Sequence, residues 1–171
     1  MKWLFRIIAL TLLLFLSLCV IGAFMPSEQR VDASTVLDAD ILTVYEVVSD
    51  LRSYPEWSGV GGPDSDWVFG GADYGTGQTA GWKSAQAFGS IDIVHTDSGK
   101  FVLLETVGPL GDQTMTLALN ESEAGTNFLI EAKHELGGFP YIGRVMSFRQ
   151  KAATQKALHV ATNGLTQMVE P

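Results

Sequence analysis

Residues 140–171, with the sequence PYIGRVMSFRQKAATQKALHVATNGLTQMVEP, predict one long helix that determines the fold. Apolar residues recur there mostly every three or four positions, which keeps them on one side of a helix. These residues are Ile142, Val145, Met146, Phe148, Ala152, Leu158, Ala161, Leu165 and Met168. About thirty helical residues rise roughly 45 Å. The apolar side therefore has to lie across a broad surface, and the strands predicted upstream supply one.

The middle of this apolar stripe carries little side-chain volume. Its residues are Ala152, Ala153, Ala157, Ala161 and Gly164. Small side chains let a helix sit close to a sheet, which agrees with the crystal-like packing density of protein interiors. They can equally leave a space between helix and sheet, and such a space predicts a ligand. The sequence leaves both interpretations open.

The first 26 residues read as an apolar segment separate from the domain at 27–171. Residues 7–25 are nineteen positions without a charge, enough for a helix to cross roughly 30 Å of hydrocarbon. Lys2 and Arg6 precede this run and the first charge after it is Glu28. The positive-inside rule then predicts a single-pass anchor in a bacterial inner membrane, with the domain facing the periplasm or the outside. Secretion after cleavage of a signal peptide near Ala23 is the alternative.

The predicted domain is strongly acidic. Two of the 11 Lys and Arg residues lie before residue 27 and all 19 Asp and Glu residues lie after it, so residues 27–171 carry a net charge of −10. Such an excess repels phosphate backbones, and nucleic acid is not an expected partner. Residues 139–171 are basic by contrast, with a net charge of +3. This helix either pairs with the acidic sheet or meets anionic lipid head groups.

Cysteine usage limits the chemistry of the domain. Cys19 is the one cysteine of the chain and lies within the apolar run. Residues 27–171 therefore contain no disulfide, no thiol nucleophile and no thiolate metal site, so packing alone has to stabilise the domain outside the cell.

The remaining sequence predicts short elements in a regular order. Alternating residues at 30–37 predict a strand, and Asp38 or Asp40 then caps a helix that runs to about Ser49. A second helical turn follows at 51–56. Strands are predicted at about 66–69, 78–83, 89–96, 100–106, 113–120 and 127–135, separated by Gly- and Asp-rich turns. Consecutive hairpins of this kind form an antiparallel meander with one dry face.

The stretch DADILTVYEVVSDLRSYPEWSGV at 38–60 resembles the opening of the START-like superfamily, which includes polyketide cyclases, dehydrases and lipid-transfer proteins (the SRPBCC group). The matching positions are Asp38 and Ala39, residues 44–48, Asp50, Tyr54, Pro55 and Trp57. The resemblance extends over roughly residues 30–170. It implies an α+β helix-grip fold, in which a curved antiparallel sheet wraps around a long C-terminal helix and two short helices follow the first strand. It also implies an apolar ligand, and no catalytic motif of the family is matched.

Three side chains, His134, Glu105 and Tyr54, are candidates for acid–base chemistry. Strand alternation places His134 on the face of Phe128 and Ile130, and it places His95 on the face of Ile91 and Ile93. These two histidines with a carboxylate could hold zinc, but no H-x-H or H-E-x-x-H spacing supports a metal site. Glu105 shares a face with Phe101 and Leu103, where burial would raise its affinity for protons; an exposed position is the alternative. Tyr54 is the third candidate, and His159 and Arg144 could meet an acidic head group.

The sequence thus predicts a membrane-anchored protein that binds a hydrophobic or amphipathic small molecule between sheet and helix, without a cofactor. Its predicted wall residues are Tyr54, Trp57, Trp82, Phe128, Ile130, His134 and Leu158. Two alternatives stay open. One is an enzyme of the cyclase or dehydratase kind that uses His134, Glu105 or Tyr54, and the other is an envelope scaffold whose cavity is filled.

Overall fold

Four helices and seven strands make up the fold. The structure is a computed structural model that describes residues 2–109, 111–136 and 142–170, with only the backbone at 142, 143, 145, 146, 148 and 149. The elements are α1 (Lys2–Ala23), β1 (Glu28–Leu37), α2 (Ile41–Val48), α3 (Tyr54–Ser58), β2 (Asp66–Gly71), β3 (Gln78–Lys83), β4 (Phe88–Asp97), β5 (Phe101–Val107), β6 (Gln113–Ser122), β7 (Gly125–Glu135) and α4 (Ile142–Val169).

The seven strands form one curved antiparallel sheet in the order β1-β7-β6-β5-β4-β3-β2. Strands β2 to β7 follow one another as a meander, and β1 joins its far edge by pairing with β7 from Glu28 opposite Glu135 to Leu37 opposite Thr126. α2 and α3 follow β1, and α4 packs on α3 and β1. This architecture confirms the predicted α+β helix-grip fold.

The inner face of the sheet supplies most of the core. Alternate residues of β7 are buried, namely Phe128, Ile130, Ala132 and His134. Leu117 of β6 and Leu104 of β5 continue this layer and are fully buried. The alternation follows from the two-residue period of a strand, because successive side chains point to opposite faces. The dry face predicted from the sequence is therefore present.

Two polar side chains, Asp40 and Gln78, hold α2 and its link to α3 in place. Asp40 caps α2: its Oδ1 accepts hydrogen bonds of 3.0 Å from the backbone N–H groups of Leu42 and Thr43. The cap is thus Asp40 rather than Asp38. The buried Gln78 of β3 accepts a 2.7 Å bond from the N–H of Leu51 and donates at 3.0 Å to Asp50. A strand side chain therefore holds the link between α2 and α3 against the sheet.

The long C-terminal helix is present as predicted over its described length. Leu158, Ala161 and Leu165 of α4 are buried, whereas Ala152 and Met168 of the predicted stripe are exposed. The helix start predicted at 137–140 lies outside the described residues, as do the side chains of Ile142, Val145, Met146 and Phe148.

α1 stands apart from the domain. It is long and apolar enough, by length and composition, to cross a membrane, and within it only Gly22 is buried. Its carboxyl end touches the start of α4, where Arg144 Nη1 donates a 3.3 Å hydrogen bond to the carbonyl oxygen of Met25. Four residues, 24–27, separate α1 from β1.

Candidate functional site

A cavity of about 380 Å³ lies between α4, α3 and the inner face of strands β3 to β6. It opens to solvent past Val107 and Val160, which are 52% and 46% exposed. The lining residues are Tyr54, Ser58, Gly59, Val60, Trp82, Ser90, Ile91, Thr106, Val107, Gly108, Pro109, Gly111, Gln113, Ala153, Lys156, Ala157 and Val160. Most of them present carbon atoms, so the space suits an apolar molecule.

The small residues of α4 both create this space and close the helix onto the fold. Ala153 and Ala157 line the cavity, and their short side chains leave the space between helix and sheet open. Farther along the helix, a Cβ on Gly164 would lie 2.3 Å from the carbonyl oxygen of Trp57. Close packing therefore describes the carboxyl half of α4, and an open space describes its middle.

A glycine after α3 lets the cavity wall approach α4. Gly59 has a φ of 68°, a left-handed conformation that favours glycine. A Cβ there would lie 2.6 Å from Cγ1 of Val160. The turn that places Ser58 and Val60 in the wall therefore depends on a residue without a side chain.

The polar groups of the cavity are few. Gln113 Oε1 is buried and accepts no hydrogen bond from any residue that the structure describes. Thr106 Oγ1 makes only a long 3.5 Å bond to the carbonyl oxygen of Gln113. The other lining residues with polar side-chain atoms are Tyr54, Ser58, Trp82, Ser90 and Lys156. A buried acceptor without a partner costs free energy, so Gln113 offers a place for a donor group of a ligand.

Tyr54 presents a neutral phenol to the cavity. Burial raises the pKa of Tyr54 above its usual value, and a hydrogen bond with the Ser58 side chain offsets only part of this effect. The phenol therefore stays protonated at neutral pH, since desolvation disfavours the phenolate. Tyr54 can donate a hydrogen bond to a ligand but does not supply a base.

The predicted wall residues separate into two groups. Tyr54 and Trp82 line the cavity. Trp57, Phe128, Ile130 and Leu158 belong to the buried core and are not among the lining residues. Trp57 supports the wall indirectly, because its ring packs edge-on against Tyr54 with centroids 4.8 Å apart.

His134 is buried on the predicted face but serves as a bridge between β7 and α4. Its Nε2 lies 3.1 Å from Oγ1 of Thr154, and its Nδ1 lies 3.3 Å from Nε2 of Gln150. Burial lowers the pKa of His134, and a hydrogen bond to the backbone of Asp112 opposes this only in part. His134 is not among the residues that line the cavity.

Glu105 is exposed, so of the two positions that the sequence left open the exposed one is confirmed and the buried one is wrong. The buried residues of β5 are Val102, Leu104 and Thr106, whereas Glu105 lies on the outer face of the sheet. The apolar neighbours that suggested burial, Phe101 and Leu103, are only partly covered there. Thr106 is the polar β5 residue that reaches the cavity.

The prediction that His95 shares a face with Ile91 and Ile93 is wrong as well. The β4–β5 pairing shifts register between Ile93 and His95, so the alternation of faces is broken there. His95 is exposed and contacts Phe101, with ring centroids 5.5 Å apart. The buried His134 and the exposed His95 thus do not come together as metal ligands.

The remaining polar candidates also lie away from the cavity wall. His159 is exposed, and its Nε2 lies 3.4 Å from Nε2 of Gln155 on the same helix. Arg144 donates a hydrogen bond to the carbonyl oxygen of Met25. Among the residues that the structure describes, no group of three His, Cys, Asp or Glu side chains could hold a metal ion.

Several lining residues were not singled out from the sequence. These are Lys156 of α4, Gln113 at the start of β6, and Gly108, Pro109 and Gly111 between β5 and β6, which come together only in the fold. Thr106 was missed as well: it alternates with the apolar Val102 and Leu104, but the other face of β5 is also apolar, so the pattern did not identify the inner face.

Comparison with solved structures supports the same fold. No protein-family model matches the chain, and no curated protein matches it. A protein of unknown function from Staphylococcus aureus has a TM-score of 0.67 at 10% identity, over 84% of this chain and 94% of that one. CalU16 from Micromonospora echinospora has a TM-score of 0.54 at 15% identity, over 84% and 76% of the two chains.

DynU16, a protein of the dynemicin biosynthetic locus, has a TM-score of 0.58 at 17% identity over 85% of this chain. The present chain spans 48% of the length of DynU16. At identities of 10–17%, these similarities show a shared fold alone.

Proposed function

We propose that this protein is a START-like domain that binds a hydrophobic or amphipathic small molecule, lipid-like or polyketide-like, and that α1 anchors it in a bacterial inner membrane. The observation that carries the proposal is the cavity of about 380 Å³ between the sheet and the alanines of α4. The similarity to DynU16 and CalU16 adds support, since both share this fold.

The apolar wall supplies the binding free energy. Burial of about 300 Å² of apolar ligand surface contributes about 7 kcal/mol at 25 cal/mol per Å². Losses of translational and rotational freedom offset part of this gain. The Tyr54 phenol, the Gln113 oxygen and the Lys156 ammonium then set where the polar end of the ligand lies.

Binding accounts for the cavity better than the two alternatives do. An enzyme of the cyclase or dehydratase kind needs an acid–base pair at the ligand, yet Glu105 is exposed on the outer face and His134 is outside the lining. A scaffold with a filled cavity is disfavoured by the open space beside Ala153 and Ala157.

Two neighbouring alanines provide a matched test. Ala153 lines the cavity and Ala152 does not, although both are exposed on α4. The full chain in detergent would be examined by native mass spectrometry and by extraction of bound lipid. We expect a bound apolar molecule in the wild type and in Ala152→Phe, and its loss in Ala153→Phe.

The proposal fails if no apolar molecule is bound by, or can be added to, the wild-type chain. It also fails if Ala153→Phe binds as well as Ala152→Phe, because the ligand would then lie elsewhere.

A further inference from the structure

We propose that the mouth of the cavity faces the bilayer that holds α1, and that Phe88 and Val107 enter the head-group region, so that the ligand passes directly between membrane and cavity. This inference rests on the proposed function and adds an interaction surface to it. The partner is the surface of a lipid bilayer, contacted through apolar side chains.

The strand register shows where the mouth of the cavity lies. It is at one edge of the sheet, in the sense of the row of strand ends on one side and not of an edge strand. Glu28 at the start of β1 pairs with Glu135, and its neighbour His134 pairs with Gln113 at the start of β6. From there Gln113 pairs with Thr106 near the end of β5, and Val107 pairs with Ser90 near the start of β4. The start of β1, residues 108, 109, 111 and 112, and the 84–87 turn therefore lie along one edge.

The membrane helix is attached to this same edge. Four residues between Ala23 and Glu28 reach at most about 14 Å. Met25 within this tether is hydrogen-bonded to Arg144 of α4. Only Gly22 of α1 is buried, so the helix projects away from the domain instead of folding back along it. The edge near Glu28 is consequently held at the membrane surface.

The mouth lies within reach of that surface. Four strand spacings separate β1 from β4 in the sheet, which places Phe88 about 19 Å to the side of the tether. A second depression, formed by Gln86, Ala87 and Phe88, shares Val107, Gly108 and Pro109 with the cavity. An apolar path thus leads from the edge into the binding space.

The rim is apolar where solvent would favour polar groups. Phe88 is 75% exposed and Val107 is 52% exposed. The outer face of the same edge carries the exposed carboxylates Glu105, Asp112 and Glu135. They outnumber the two lysines there, Lys83 opposite Phe88 and the partly covered Lys133, so attraction to anionic lipid does not drive the contact. We expect insertion of apolar side chains into a zwitterionic surface, with little dependence on salt.

A single-cysteine experiment tests the contact. In the full chain with Cys19→Ser, Phe88→Cys would carry an environment-sensitive fluorophore, and Leu42→Cys would be the matched control. Leu42 is 57% exposed on α2, near Gly99 at the opposite edge of the sheet. Both variants would be reconstituted into phosphatidylcholine vesicles that contain spin-labelled lipid. We expect a blue-shifted, quenched emission at position 88 and a water-like, unquenched emission at position 42.

A kinetic measurement with a fluorescent fatty acid adds a second readout. Phe88→Asp should slow uptake of the fatty acid from vesicles without weakening its equilibrium binding in detergent, because Phe88 lies at the rim outside the cavity wall.

The outcomes separate the two proposals. If the chain floats with the vesicles and binds fatty acid while the label at position 88 is as water-exposed as the label at 42, the membrane-facing mouth is overturned and ligand binding stands. If the chain does not float with vesicles, the anchoring proposal and this inference both fail. Equal uptake rates for the wild type and Phe88→Asp also contradict the inference.

Discussion

His134 shows how a single buried side chain couples the fold to pH. It lies between Thr154 and Gln150, and burial lowers its pKa below the value of about 6.5 expected in the unfolded chain. The unfolded state therefore takes up a proton more readily as the pH falls. The stability contributed by neutral His134 is fully present above about pH 6.5 and is lost progressively as the pH falls below that value.

The urea concentration at the midpoint of unfolding should therefore decrease when the pH is lowered from about 7.5 to about 5, the range in which histidine titrates. His134→Gln keeps a polar side chain next to Thr154 but removes this titration. Tryptophan fluorescence of the full chain in detergent would follow unfolding at both pH values. We expect a smaller pH dependence in His134→Gln. An equal dependence in both proteins would assign the effect to other groups.

Gly164 is required for the close contact between α4 and α3. Replacement of glycine by alanine inside a helix normally adds about 1 kcal/mol of stability. Here the new Cβ would lie 2.3 Å from the Trp57 carbonyl oxygen, a backbone atom that cannot turn away. We expect Gly164→Ala to lower the free energy of unfolding by about 1–3 kcal/mol, the usual cost of overpacking.

Thermal unfolding would measure this loss, with the exposed neighbour Asn163→Ala as the control on the same helix. A Gly164→Ala protein as stable as the wild type would mean that α4 does not approach Trp57 so closely.

The strands show what the sequence could and could not predict. Alternation placed Phe128, Ile130 and His134 on the buried face of β7, because a regular strand keeps its two-residue period. The same rule failed in β4, where the register shift before His95 has no glycine or proline to signal it. In β5 both faces carry apolar residues, so the pattern alone did not show that Thr106 is inside and Glu105 outside.

Single-cysteine variants at two adjacent positions test which face of β5 points inward. In the full chain with Cys19→Ser, Glu105→Cys should react quickly with a thiol reagent, because that side chain is exposed. Thr106→Cys should react slowly, because Thr106 is buried and faces the cavity. Reaction rates measured by mass spectrometry would compare the two variants. The reverse order of rates would mean that the inner face of β5 has been assigned wrongly.

The long helix was predictable in extent but not in its use. The spacing of Leu158, Ala161 and Leu165 was enough to place these residues on the buried side. Whether the small residues pack or leave a space depends on what faces them. Trp57 lies opposite Gly164, whereas none of the large side chains that the structure describes fills the space beside Ala153. That difference arises from elements far apart in the sequence.

The chain as a whole combines an apolar helix with an acidic domain. Length, hydropathy and charge predict this division, since they are properties of whole segments. The cavity wall was harder to predict, because it combines residues of α3, of four strands and of α4 with Gly108, Pro109 and Gly111. No local sequence pattern shows which of these residues come together in the fold.

The direction in which the domain faces is the remaining prediction for the full chain. Lys2 and Arg6 precede the apolar run, so the amino terminus should remain in the cytoplasm and the domain should lie outside. In a bacterial host, cysteine variants would be made in the Cys19→Ser background. Glu123→Cys, in the exposed turn between β6 and β7, should react with a membrane-impermeant maleimide in intact spheroplasts. Trp3→Cys, which keeps both Lys2 and Arg6, should react only after lysis. Labelling of Trp3→Cys but not Glu123→Cys in intact spheroplasts would reverse the orientation, and release of the labelled domain into the medium would indicate cleavage near Ala23.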